Sequence, residues 1–195
     1  MSFDSAVALI RFRRRTGELN MGRIFNAVVD YLTEDDWKYT VLDGENALML
    51  SFRGKSGSWQ CFGRADEEKE CFSFYSVLPP HAAEDRRAVV AEFINRANYG
   101  LIVGNFEMDY RDGQVRYKTS IDIEGGELTP KMIENIVYAN LMTMDDYFPG
   151  FMDVMYGDKA PAQAIEEIES KSGYEHSIGE DEEEDEGFRT DTGTD

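Results

Sequence analysis

Apolar residues return along this chain at two different spacings. Between Gly17 and Glu34, Met21, Ile24, Phe25, Val28, Val29 and Leu32 recur every three or four positions, which predicts an amphipathic helix. Four strand-like segments follow. Trp37–Leu42 turns at Asp43-Gly44 into Ala47–Arg53, and Gly54-Lys55-Ser56-Gly57 turns into Ser58–Ala65. A polar loop over Asp66–Lys69 leads into Cys71–Leu78, and Pro79-Pro80 stops the sheet, because proline offers no N–H to a ladder. The helical spacing returns over Glu84–Asn98, with Val89, Val90, Phe93, Ile94 and Ala97 on one face and Gly100 placed to close the helix in a left-handed conformation.

Asp112-Gly113 then predicts a two-residue type I′ hairpin turn. That turn pairs Tyr110 with Val115, Met108 with Tyr117, Phe106 with Thr119, Gly104 with Ile121 and Ile102 with Ile123. The other face pairs Asp109 with Arg116 and Glu107 with Lys118, opposite charges across the ladder. Gly125-Gly126 ends the hairpin. Thr129 and Pro130 suit the N-cap and first position of a helix. Its stripe of Ile133, Val137, Leu141, Met144, Phe148, Phe151 and Met155 keeps helical spacing past Pro149-Gly150, which should kink or interrupt it. A short helix is expected from Pro161 to about Glu169. The string αββββαββα, with strands in two blocks, predicts an α+β fold with a largely antiparallel sheet and helices packed on it.

Length and charge sharpen the domain picture. The 195 residues suit one domain. Residues 1–16 read as a flexible basic arm, 17–158 as the folded domain, 159–174 as a short helix and linker, and 175–195 as a disordered acidic tail. The formal net charge is −19. Residues 1–15 carry four arginines and one acid, whereas residues 175–195 carry ten acids and one arginine. That acidity disfavours nucleic acid as a partner, since the phosphate backbone repels it. The Arg11–Arg15 cluster then reads as an arm, or as a partner for the acidic run 180–186. That run reads as a solubility tail or as an interaction tail for a basic partner.

No membrane span is expected, and a cytoplasmic protein is the default. A loop centred on Glu67-Glu68 sets Cys61 opposite Phe74 and Cys71 opposite Arg64. The two thiols are then too far apart to bridge, and both are expected free and mostly buried.

Candidate chemistry is sparse. Gly54-Lys55-Ser56 resembles the end of a phosphate-binding loop, but Met49 stands where that loop needs glycine, and a strand follows instead of a helix. It reads as a hairpin turn. His81 reads as a surface capping residue, and two histidines make no zinc site. Asp35-Asp36 reads as helix-end charge and Asp145-Asp146 as the solvated side of the last helix. No catalytic, cofactor or metal residue is assigned, and no enzyme is expected. The last helix carries more apolar surface than one stripe needs. Met142, Met144, Tyr147, Phe148, Phe151, Met152 and Met155 are the candidate partner-binding residues: methionine suits adaptable contacts, and a helix apolar on two faces is either sandwiched in a core or buried against a partner, most simply in a symmetric dimer.

The segments Phe93-Ile-Asn-Arg-Ala-Asn-Tyr-Gly-Leu101, Gly104-Asn-Phe-Glu-Met-Asp109, the Arg111-Asp112-Gly113 turn with Val115-Arg-Tyr-Lys118, and Tyr147-Phe-Pro-Gly-Phe-Met152 resemble the YbjN domain family, described as bacterial sensory-transduction regulators. The resemblance spans roughly residues 20–157. It implies a fold similar to type III secretion chaperones, an α+β sandwich that often dimerises, and no catalytic residues. The function expected is a non-enzymatic module that holds a protein or peptide on its sheet edge or its Met/aromatic helix, in a chaperone-like or regulatory role. The alternatives are a homodimeric structural or stress-response protein without a client and, last, an enzyme.

Overall fold

A computed structural model describes residues 22–172. The arm, the residues 17–21 assigned to the first helix, His176 and the acidic tail lie outside the described residues. The elements run α1 (Arg23–Glu34), β1 (Tyr39–Val41), β2 (Ala47–Arg53), β3 (Ser58–Asp66), β4 (Cys71–Val77), α2 (Arg87–Gly100, after a 3-10 turn at Glu84–Arg86), β5 (Asn105–Met108), β6 (Val115–Asp122), α3 (Pro130–Tyr156) and α4 (Pro161–Ser172). All six strands form one antiparallel sheet in the order β1-β2-β3-β4-β6-β5. The α+β class and the element string of the sequence are those observed, with α4 as the further helix.

The sheet has one dressed face. Side chains alternate across a strand, and Leu48, Leu50, Cys61, Trp59, Phe72, Phe74, Thr119 and Tyr117 all point to the side on which the helices pack. There Phe93, Phe106, Tyr117, Tyr147 and Phe151 form a cluster with ring centroids 4.5–6.3 Å apart. The offset and edge-to-face geometries favour the quadrupoles of the rings. Among the described residues four polar ones are buried, Ser76, Thr119, Asn140 and Asp145, and two of them tie α3 to the sheet. Asn140 of α3 donates from Nδ2 to the Phe74 carbonyl at 3.0 Å and the Tyr117 carbonyl at 3.2 Å, and Thr119 donates to the Ile136 carbonyl at 3.0 Å. These bonds fix the register of α3 across β4 and β6, which apolar packing alone leaves adjustable.

Four expectations are corrected. First, Asp112-Gly113 does not make a type I′ turn. Gly113 has φ +80°, but Asp112 does not take the positive φ that such a turn needs. The loop spans Asp109 to Gln114, and the ladder pairs Met108 with Val115, Phe106 with Tyr117 and Glu107 with Arg116. The cause is tertiary. The Leu78 N–H donates to the Val115 carbonyl and the Ala82 N–H to the Gly113 carbonyl, at 2.9 and 2.8 Å, so the segment after β4 moulds the turn. The shift is two residues, so the apolar face is preserved, while Glu107 rather than Asp109 meets Arg116. Second, β3 and β4 are also offset by two: Cys61 faces Ser76 and Cys71 faces Asp66. Their turn, Glu67–Glu70, is held by other work, because the Glu67 carboxylate accepts from the Ile24 and Phe25 N–H groups at the start of α1 (3.2 and 2.9 Å), and Glu70 pairs with Arg23 at 2.9 Å. Neither cysteine is bridged; Cys61 is buried and Cys71 half-buried. Third, Gly100 is the last helical residue of α2, and its φ is not positive. Fourth, Pro149 does not interrupt α3, which is helical from Pro130 to Tyr156 behind the expected Thr129 cap.

Candidate functional site

The face of the sheet away from the helices is a trough of about 640 Å³, lined only by strand and turn residues. Its volume lies within the ~300–1,000 Å³ typical of ligand clefts. Register builds its floor. Met49, Phe62 and Tyr75 are consecutive cross-strand partners on β2, β3 and β4, and Ser51, Gln60, Val77 and Arg116 form the next row. Each of these apolar side chains is half-buried, although no helix covers it. At one end stand Leu42, Glu45, Ala47 and Arg64, beside the β1–β2 turn; at the other stand Pro79, His81 and Gln114.

Polar groups sit at fixed places on this floor. The Arg116 guanidinium lies 4.8 Å from the Tyr75 ring centroid, a cation–π stack. Its far side meets Glu107, which also takes Lys118, both at 2.6 Å. Burial pushes the Glu107 carboxyl up, but hydrogen bonds from Lys118 and Arg116 outweigh it and hold the group below its ordinary range. Gln60 donates to Ser51 at 2.9 Å. His81 is at the surface as expected, but it caps no helix: its Nδ1 lies 3.2 Å from the Asp112 carbonyl, where it braces the β5–β6 loop, and Ala83 is the N-cap of the 3-10 turn that follows. The arrangement can bury apolar side chains and meet a carboxylate through Arg64 or Arg116. It brings together no nucleophile with a base. Among the described residues no group of three or more His, Cys, Asp or Glu could hold a metal ion.

None of the seven residues singled out on the last helix lines the trough; they lie on the dressed side. Met144 and Phe151 are wholly buried, Tyr147 and Met155 nearly so, and Phe148 and Met152 pack partly buried against the core. Met142 is exposed, as are Met132 and Tyr138 on the same helix. The trough itself was hidden in the sequence, because Met49, Phe62, Tyr75 and Val77 are separated by turns and meet only through register. The alternation of each strand was the available signal: β3 and β4 carry an apolar residue on the face that should be polar.

Asp145 is corrected as well. It is buried rather than solvated, and its carboxylate accepts from the Lys55 and Ser56 N–H groups, each at 2.8 Å. The Gly54-Lys55-Ser56 turn therefore does cradle an anion, and that anion is the chain's own side chain. Asp146 beside it is pushed up by burial and by the Asp145 charge. Beneath the trough, burial pushes the Cys61 thiol up to about 12. Among the described residues no helix is long and apolar enough to cross a membrane.

The family model of YbjN, with the description "Putative bacterial sensory transduction regulator", matches residues 25–152. Three solved structures are similar in fold. A chain of the HopA1–SchA chaperone–effector complex is 16% identical, with 65% of this chain and 94% of that chain covered and a TM-score of 0.44. The crystal structure of YbjN from E. coli is 10% identical, covers 64% and 91%, and has a TM-score of 0.48. A chain of the ExsC–ExsE complex is 15% identical, covers 64% and 90%, and has a TM-score of 0.42. No curated protein sequence matches the chain.

Proposed function

The chain belongs to the YbjN family, and from that premise we propose that it is a non-enzymatic module that binds a protein or peptide in a chaperone-like or regulatory role. The observation that carries this reading is the uncovered sheet face. Met49, Phe62, Tyr75 and Val77 form one apolar strip across three strands, left open in a chain that packs helices on its other face. A contiguous apolar surface with a polar rim suits a macromolecular partner. The occupant is an extended segment whose apolar side chains enter the strip and whose acidic group meets Arg64. The exposed Met142 of α3, with Met132 and Tyr138, offers a second contact on the opposite side. The working location is the cytoplasm, in keeping with two unbridged cysteines.

The test compares the full chain with Phe62→Glu as bait in a native lysate. A protein retained by the first and lost with the second supports the reading. Equal retention, or none with folded bait, overturns it. A homodimer is the second reading, favoured by Tyr99, Ile102 and Val103, all exposed at the end of α2. Sedimentation at several concentrations tests it, and a strictly monomeric chain removes it.

A further inference from the structure

We propose that the trough is filled by the chain's own N-terminal segment, with Ala6–Ile10 and Phe12 lying on Met49, Phe62 and Tyr75, so that a partner must displace it. The inference rests on the trough being a peptide-binding surface, and goes beyond it by naming an occupant in cis.

Three observations support the assignment. The first is where the described chain begins. The Gly22 N–H lies 3.4 Å from Asn46 Oδ1, and Asn46 stands between Glu45 and Ala47, both of which line the trough. Arg23 is anchored on the neighbouring turns, to Glu70 at 2.9 Å and to the Gly126 carbonyl at 2.8 Å. The preceding residues are therefore delivered to the end of the sheet, beside the mouth of the trough. The second is reach. The trough follows β2 from Ala47 to Phe52, roughly 20 Å at the rise of a strand. The twelve residues from Gly22 back to Ile10 span up to about 40 Å when extended. The apolar stretch can thus lie anywhere along the floor.

The third is chemical match. Phe3, Ala6, Val7, Ala8, Leu9, Ile10 and Phe12 cluster in the first twelve residues, and residues 1–21 carry four arginines against Asp4 and Glu18. Residues 22–172 carry twenty-seven acids against fifteen Lys and Arg, so the folded body attracts the arm. The arginines fall between the apolar stretch and Gly22, at the end of the trough where Glu45 stands beside Arg64 and Asp43 precedes them, so the attraction comes from the net charge of the whole body and not from that end alone. At the far end the Arg116 charge is already paired with Glu107, and the apolar part of the floor is the strip of Met49, Phe62, Tyr75 and Val77.

The consequence is competition. A tethered segment acts at an effective concentration on the order of a millimolar. If its own Kd is about 0.1 mM, it fills the trough about nine-tenths of the time, and an outside peptide binds about tenfold more weakly.

The test uses the full chain with a nitroxide at position 5, through Ser5→Cys with Cys71→Ser, and reads amide signals by NMR. Selective broadening at Met49, Phe62, Tyr75 and Val77, unchanged on dilution and abolished by Leu9→Asp with Ile10→Asp, is the expected result. That double variant should also bind an added synthetic peptide of residues 1–15 about tenfold more tightly than the parent. No broadening in the trough, broadening only elsewhere, or broadening that dilution removes overturns the assignment in cis. If the added peptide still shifts the trough signals, the binding reading survives that failure. If it shifts nothing, both fail.

Discussion

Single side chains do structural work here that their type does not announce. Asp145 is one of two adjacent acids on a helix, yet it closes the β2–β3 turn from α3 with two charge-assisted hydrogen bonds. Asp145→Ala should cost about 2–3 kcal/mol, because both N–H groups lose a charged acceptor. Asp145→Asn should recover part of this in denaturant titration, since its oxygen still accepts one of them. Glu107 gives a pH signature. Its folded pKa is below the ordinary 4.5, so its stabilisation is present above that pH and is lost as pH falls. Glu107→Gln should therefore lower stability at pH 7, and the gap to wild type should narrow progressively as pH falls below 4.5. Cys61 runs the opposite way. Its folded pKa of about 12 lies above the ordinary 9, so unfolding releases a proton the fold retains, and stability falls as pH rises past 9. At pH 8 a maleimide should label one cysteine of the native chain, Cys71, and two after denaturation.

At the scale of elements, most of what is local was legible. β2 begins and ends where the alternation and the glycines place it, and Thr129-Pro130 starts α3. What was not legible is whatever another element decides. Asp112-Gly113 favours a two-residue turn by its own chemistry, but the docking of Leu78 and Ala82 widens it. The β3–β4 turn is displaced because Glu67 is spent on capping α1. Both displacements are of two residues, the smallest change that keeps every side chain on its face. The long helix shows the same dependence. Pro149-Gly150 reads as a kink or a break, and the helix runs on through it; Gly150 is the point where α3 meets its neighbours, since a Cβ there would stand 2.6 Å from Ile168 of α4 and 2.8 Å from Phe93 of α2. Gly150→Ala should gain about 1 kcal/mol of helix propensity, yet overpacking costs roughly 1–3 kcal/mol. The expected net is a lower Tm by differential scanning calorimetry. A raised Tm would show that Phe93 and Ile168 move aside at little cost.

The whole molecule separates stability from exposure. Its core lies entirely between the sheet and the helices, and the apolar strip on the other face contributes little to holding the fold. Phe62→Glu should thus cost about 0.5 kcal/mol at the surface itself, and about 1.4 kcal/mol more if it releases a segment that fills the trough nine-tenths of the time, while abolishing whatever binds there. A loss well beyond both together would mean that the strip belongs to the core. The site was harder to read than the fold because sequence patterns report one element at a time. The Met/aromatic helix advertised itself through composition, and much of its apolar surface packs in the core while Met132, Tyr138 and Met142 stay exposed; the trough needs three strands in register before it exists.

The sheet ends on β1 and β5, three and four residues long. A foreign strand that tried to extend this sheet would find only a few rungs on either side, too few to template the stacked ladders of amyloid. An apolar face open to water would ordinarily invite such growth in a crowded cell. Here the apolar face is bordered by blunt edges, so a segment bound in the proposed way would lie flat against the sheet without templating an aggregate.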